Sequence, residues 1–169
     1  MLTVDLVPQS AWYDNLRALL QPAEWDVVRG VTYRGANYRC QICGGRGEKW
    51  PVEAHERWAF DDAAGVQSLR AIEALCPACH EVTHFGLAEL RGRRDAAFAH
   101  LMRVNGWSKD QALSHINDVF AIWRRRSARR WSLDARLVYT FAELSEATRG
   151  IIERFARAAD LEKEIAHAR

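Results

Sequence analysis

Hydrophobic and polar positions change their period several times along this chain. Residues 2 to 7, LTVDLV, alternate, which predicts a short strand ended by Pro8. The period then becomes helical. Trp12, Leu16, Leu19 and Leu20 share one face behind Ser10, a candidate N-cap. Trp25 and Val28 point inward behind Pro22, a residue suited to a first helical turn, and Gly35 and Asn37 break that second pattern. From residue 38 to 86 the segments shorten. CQICGGRGEKWP is a turn-rich loop, and VEAHERWAF alternates as a strand. VQSLRAIEALC also favours a strand, although Val66, Leu69, Ile72 and Leu75 recur every three residues and would fit a helix too. PACHEVTHFG opens on Pro77 and stops at Gly86, the punctuation of a short helix.

The last third is helical in pattern. Leu87, Leu90, Arg94, Ala97, Phe98 and Leu101 predict one helix, broken near Asn105 and Gly106. SKDQ, residues 108 to 111, is a capping box in which Ser108 and Gln111 bond each other's backbone. The helix it opens should bury Leu113, Ile116, Phe120 and Trp123. Leu137, Phe141, Leu144, Thr148, Ile151, Phe155, Ala158, Glu162 and Ile165 then repeat every four and three positions. Thr148 and Glu162 interrupt that seam, and Gly150 weakens it by about 1 kcal/mol. Packing on its own domain is the favoured use of this face, and a homodimer seam is the other. The pattern therefore predicts an α+β fold, predominantly helical. A strand and helices occupy 1–37, a compact core 38–86, and a helical extension 87–169.

Charge refines this picture. The 169 residues carry a net charge of only +2, too small to announce nucleic acid by itself. Its distribution says more. Arg124, Arg125, Arg126, Arg129 and Arg130 fall within seven positions, and three more arginines lie close together in RGRR, residues 91 to 94. Arginine's planar fork suits phosphate, so these are candidate nucleic-acid contacts; a solvated helix end is the alternative. No apolar run approaches the roughly 18 to 20 residues that cross a bilayer. The opening residues lack the basic and apolar regions of a secretory leader, so a cytoplasmic protein without a membrane partner is expected.

The chemistry concentrates in the middle. Cys40-x2-Cys43 and Cys76-x2-Cys79 are two knuckles whose spacing is a strong signal for one structural Zn(II). With four thiolates filling that ion, His80 and His84 are surplus to it. At i and i+4 on a helix they share a face and suit a second metal. His55 lies on the strand-like segment between the knuckles. A strand imidazole opposite a metal-bearing helix is a hydrolytic arrangement.

In their order and approximate spacing, CQIC, VEAHE, ALCPACH and EVTH resemble the HNH, or ββα-metal (His-Me finger), nucleases of the zinc-stapled type. Residues 38 to 86 carry the resemblance. It implies a small treble-clef-like zinc core and a DNA endonuclease. His55 would be the general base. His80 and His84 would hold a catalytic divalent ion (Mg, Mn, Ni or Zn), and Cys40, Cys43, Cys76 and Cys79 a structural zinc. Two positions depart from the family's pattern. Ala54 stands where a metal-ligating Asp or His often precedes the base, and Ala71 stands where an Asn often orients it. Glu53, on the same strand face as His55, is the first candidate to supply the missing oxygen. A catalytically silent nucleic-acid-binding module, or an interaction scaffold, is the alternative to an enzyme.

Overall fold

The structure is a computed structural model and describes residues 1 to 168. It is a mixed α+β fold, predominantly helical. Seven α-helices are found among the described residues: α1 (Leu16–Leu19), α2 (Pro22–Gly35), α3 (Pro77–Thr83), α4 (Phe85–Leu90), α5 (Arg94–Asn105), α6 (Lys109–Ser127) and α7 (Glu146–His167). Strands β1 (Glu53–Asp61), β2 (Val66–Leu75) and β3 (Ser132–Asp134) form one sheet in that order. β2 and β3 run parallel, with Val66 opposite Ser132 and Ser68 opposite Asp134.

The chain folds as two compact units that are interleaved in sequence. The first is built from Met1–Val7, Tyr33–His55 and Glu73–Arg125. The second is built from Pro8–Thr32, Glu56–Ile72 and the chain from Arg126 on.

The core of the first unit gathers Leu2, Val4, Leu75, Val82, Phe85, Leu101 and Ile116 around Cys40, Cys76 and Cys79. Its N-terminal segment does alternate, with Leu2 and Val4 buried, yet it is not a strand. Side chains and one helix carbonyl take the place of a sheet neighbour. Leu2 N–H donates to Asn105 Oδ1 (2.9 Å), Val4 N–H to His115 Nε2 (3.1 Å), and Asp5 N–H to the Thr83 carbonyl (2.9 Å). The helix expected over 87–101 is in fact two. Residues 91 to 93 separate α4 from α5, and Gly92 takes a left-handed φ of 69° that ends the first. The capping box forms as expected, with Ser108 N–H on Gln111 Oε1 (2.8 Å) and Gln111 N–H on Ser108 Oγ (3.2 Å). α6 buries Ala112 and Ile116, whereas Leu113, Phe120 and Trp123 are half-buried.

In the second unit Ser10 does not cap a helix. A 3₁₀ turn spans Gln9–Ala11, and Asn15 caps the short α1 by accepting from Ala18 N–H at 3.0 Å. Ser10 Oγ instead donates to the Arg129 carbonyl at 2.5 Å. α2 starts at Pro22 and buries Trp25 and Val28 as its pattern predicts. The turn between β1 and β2 closes on Gly65 (φ 72°), where a side chain would meet the Arg129 guanidinium at 2.3 Å. α7 packs on β3 through Thr148, Ile152, Ala156 and Ala159. That face is shifted from the expected seam, and Ala158, Glu162 and Ile165 remain exposed. The larger side chains misled the pattern because two of the four buried positions are alanines, whose small size permits close approach to the sheet.

Candidate metal centre

The first knuckle is a tight turn. Gly44 N–H donates to the Cys40 carbonyl (2.8 Å) and Cys40 N–H to the Gly45 carbonyl (2.9 Å), while Gly44 takes φ 72°, a conformation glycine adopts without strain. The turn aims Gly45 N–H at Cys43 Sγ (3.4 Å). The second knuckle opens a helix. Cys76 is the N-cap of α3, Pro77 its first residue, and Cys79 follows within the first turn.

The four sulfurs lie within 4.8 Å of one another. Cys43 Sγ and Cys76 Sγ are 3.6 Å apart. A Zn–S bond of about 2.3 Å in a tetrahedron gives an edge of about 3.8 Å, so the cluster matches a zinc ion such as the sequence spacing implies. Their proton affinities point the same way. The Cys40 thiol is pulled down to about 4, chiefly by a hydrogen bond from Cys79. Cys76 is pushed up to about 11 by burial, and Cys79 is pushed up by its bond to Cys40. Without a cation only one thiolate is tolerated; a divalent cation is what lets all four ionise.

His100 on α5 supports this cluster and carries no local sequence signal. Its Nε2 is 3.2 Å from Cys79 Sγ, and its Nδ1 is 2.6 Å from Arg103 Nη2. Arginine only donates, so Nδ1 accepts and Nε2 carries the proton toward the sulfur. Burial, together with the Arg103 charge, holds His100 below its ordinary range, consistent with that neutral tautomer.

The histidines form a second group in the same unit. His55 comes from β1, His80 from α3, and His84 from the junction of α3 and α4, where its φ of −96° and ψ of 42° leave the helix. Nitrogens of the three lie within 4.8 Å of one another, a group that could hold a metal ion. Their rings are close and steeply inclined, with centroids 5.4 Å (His55–His80), 5.0 Å (His55–His84) and 4.7 Å (His80–His84) apart. His80 Nε2 and His84 Nε2 are 3.1 Å apart, near the roughly 3.3 Å edge expected for two nitrogens on one zinc-sized ion.

Glu53 reaches this group through His80. One carboxylate oxygen pairs with His80 Nδ1, and the other accepts from Trp50 Nε1 at 2.6 Å. A carboxylate on the outer ring nitrogen, leaving the inner one for an ion, is the usual arrangement at a metal-bound histidine. Glu56, on the opposite strand face, serves elsewhere; its carboxylate accepts from Leu16 N–H at 3.2 Å. Asp61 receives the Ala63 and Ala64 amides of the hairpin turn, both at 3.0 Å.

His80, His84 and Glu53 line an open cleft of about 800 Å³, walled by Trp50 and by Arg46, Lys49, Arg91 and Arg93. Trp50 is 51% exposed there, although its N–H is satisfied. His55 is buried, at 4% exposure, and is not part of the cleft wall. Its Nε2 makes no hydrogen bond, and its nearest carboxylate is Asp5 Oδ2 at 3.7 Å.

The arginine run divides by use. Arg126 makes a two-pronged pair with Asp62 (2.9 and 2.6 Å) and lies over the Phe60 ring. Arg129 donates to the Asp62 carbonyl and covers Trp131. Both are thus engaged within the second unit, while Arg124, Arg125 and Arg130 are exposed. No helix among the described residues is long and apolar enough to cross a membrane. Comparison with protein-family models, with curated proteins and with solved structures returned no match.

Proposed function

We propose that this chain is a metal-dependent endonuclease of the HNH type it resembles, hydrolysing phosphodiester bonds in DNA. The observation that carries this reading is the convergence of His55, His80 and His84 beside a cysteine cluster that fits zinc, with two of the three imidazoles opening on a cleft walled by cations. The residues present fit a second divalent ion, because Glu53 occupies the outer nitrogen of His80 and turns the inner one toward His84. Such an ion, when bound, supplies positive charge against the phosphate oxygens.

His80 and His84 hold that ion, and the zinc knuckle fixes the start of the helix that carries them. His55 is the general base, placed to take the proton of the attacking water. Arg46, Lys49 and Arg91 contact backbone phosphates, and Trp50, rigid and exposed, offers a stacking face to a base. The test is a titration of Mg(II), Mn(II) and Ni(II) against supercoiled and single-stranded DNA, with parent and His80→Ala side by side. The parent should cut and the variant should not, unless excess metal restores it. Equal cutting by both, or none at any metal concentration, overturns the reading.

One observation favours a second reading, a nucleic-acid-binding module without catalysis. At 4% exposure and outside the cleft wall, His55 is poorly placed to meet bulk water. In that case the parent binds DNA and the second ion but leaves the phosphodiester intact.

A further inference from the structure

Two imidazoles are few for a catalytic divalent ion, which usually takes three protein ligands and often includes a carboxylate. The residue before His55 is Ala54, which offers none, and both oxygens of Glu53 are already engaged by Trp50 and His80. We infer that Asp5, from the N-terminal segment, supplies the carboxylate of the histidine centre. This rests on the metal centre of the proposed function.

Three observations place Asp5 there. Its Oδ2 lies 3.7 Å from His55 Nε2, a buried nitrogen with no hydrogen-bond partner. That separation is too long for a hydrogen bond and suits two polar atoms facing a shared guest. A buried, unpartnered imidazole nitrogen is costly unless something occupies the space beside it. Asp5 is also tethered to the ligand-bearing helix, since its N–H donates to the carbonyl of Thr83, the residue before His84. The segment that carries it is fixed on both sides of this tether. Leu2 is gripped through its N–H and carbonyl by Asn105 (2.9 and 2.8 Å), Val4 by His115, and Leu6 packs against the same core. An extended segment held at this many points presents its carboxylate at a defined position rather than as a mobile tail.

Asp5 in this role makes the centre two imidazoles and one carboxylate, with His55 beside the carboxylate. It also gives the alternation of LTVDLV a use: Leu2 and Val4 anchor the segment in the core, and the residue after Val4 delivers a donor to the centre.

The test measures metal binding rather than cutting. The full-length protein, loaded with its tight zinc, is titrated with Mn(II) and separately with Co(II) by calorimetry and by the visible bands of cobalt. The parent, Asp5→Ala, Asp5→Glu and His80→Ala are compared, with melting curves for each. Asp5→Ala should bind the second ion at least about tenfold more weakly, the loss that removal of even an outer-shell partner typically causes. It should keep its zinc and its melting temperature, and Asp5→Glu should recover part of the affinity. A parent that binds a second ion together with an Asp5→Ala variant that binds it equally overturns the role of Asp5 and leaves the proposed function standing. A parent that binds no second ion overturns both. A parent that binds the ion but never cuts DNA overturns the enzyme and keeps Asp5 in the centre.

Discussion

The two units of this protein are held together by different physics. In the first, the hydrophobic core closes around cysteines, and three histidines cluster where the start of β1 meets α3. Its stability must therefore depend on an ion. In the second, the anchoring groups are fixed charges. Arg136 forks onto Asp134 (2.8 and 2.9 Å) and Asp160 (2.7 and 3.0 Å), Lys163 joins Asp134 at 3.5 Å, and Arg126 grips Asp62. The lesson concerns arginine. A run of cations read from sequence suggests a phosphate surface, and here two of its five members are occupied with internal partners.

The strongest way to break this contrast is to remove a thiolate. Cys76→Ser should unfold the first unit, because structural zinc contributes apparent free energies of about 10–16 kcal/mol in small zinc domains. Hydrogen exchange should report it as lost protection in α3 and α5, with β3 and α7 affected least. Uniform loss of protection, or a variant that melts like the parent, would erase the distinction between the units.

His55→Ala comes next. It should lower DNA cutting by roughly 10²- to 10⁴-fold, the range for a missing general base, with zinc content and second-ion affinity near the parent's. Loss of the second ion in this variant would make His55 a ligand instead of a base.

A smaller effect tests the second unit. The hydrogen bonds from Arg136 hold the Asp134 carboxyl below its ordinary value of 3.8. A depressed carboxylate contributes stability that is fully present above the unfolded pKa and lost as pH falls through the folded one. Asp134→Asn should therefore cost about 1–3 kcal/mol near neutral pH, the range for a charged hydrogen bond, and the gap from the parent should narrow below pH 3.8. Denaturant melts across that window check it, and a gap that widens in acid would refute the pairing.

The smallest expected effect is on binding alone. Replacing Arg124, Arg125 and Arg130 by Ala should leave the melting temperature unchanged. If they touch phosphate, the slope of log affinity against log salt should flatten by about 0.9 for each phosphate no longer neutralised. An unchanged slope would assign all five arginines of the run to structure and solvent.

Local chemistry was readable in the sequence. The CxxC pairs, the Ser108 capping box, the Pro22 helix start and the strand pair all announce themselves within a few residues, because turn and cap geometry is set by neighbours. What escaped the pattern was set by distance. Leu2 and Val4 alternate like a strand, but their amides find Asn105 and His115, more than a hundred residues away. His100 reaches Cys79 across 21 residues, and nothing in its own neighbourhood marks it. Asp5 and His55 meet only because the N-terminal segment is pinned beside α3. The face of α7 was misread for a different reason. Hydrophobic periodicity gives weight to large side chains, whereas Ala156 and Ala159 pack on the sheet because they are small.

The interleaving of the two units has a consequence for dissection by deletion. Any contiguous fragment that holds all of the first unit runs from Met1 to Arg125, and it carries two of the three segments of the second unit with it. Those segments would lack Asp134, Arg136 and the whole of α7. A fragment cloned for the metal centre would thus export an unfinished partner in the same polypeptide, with its apolar faces uncovered. Truncation would read as insolubility rather than as lost chemistry, so for this topology only substitutions at single positions can separate the two.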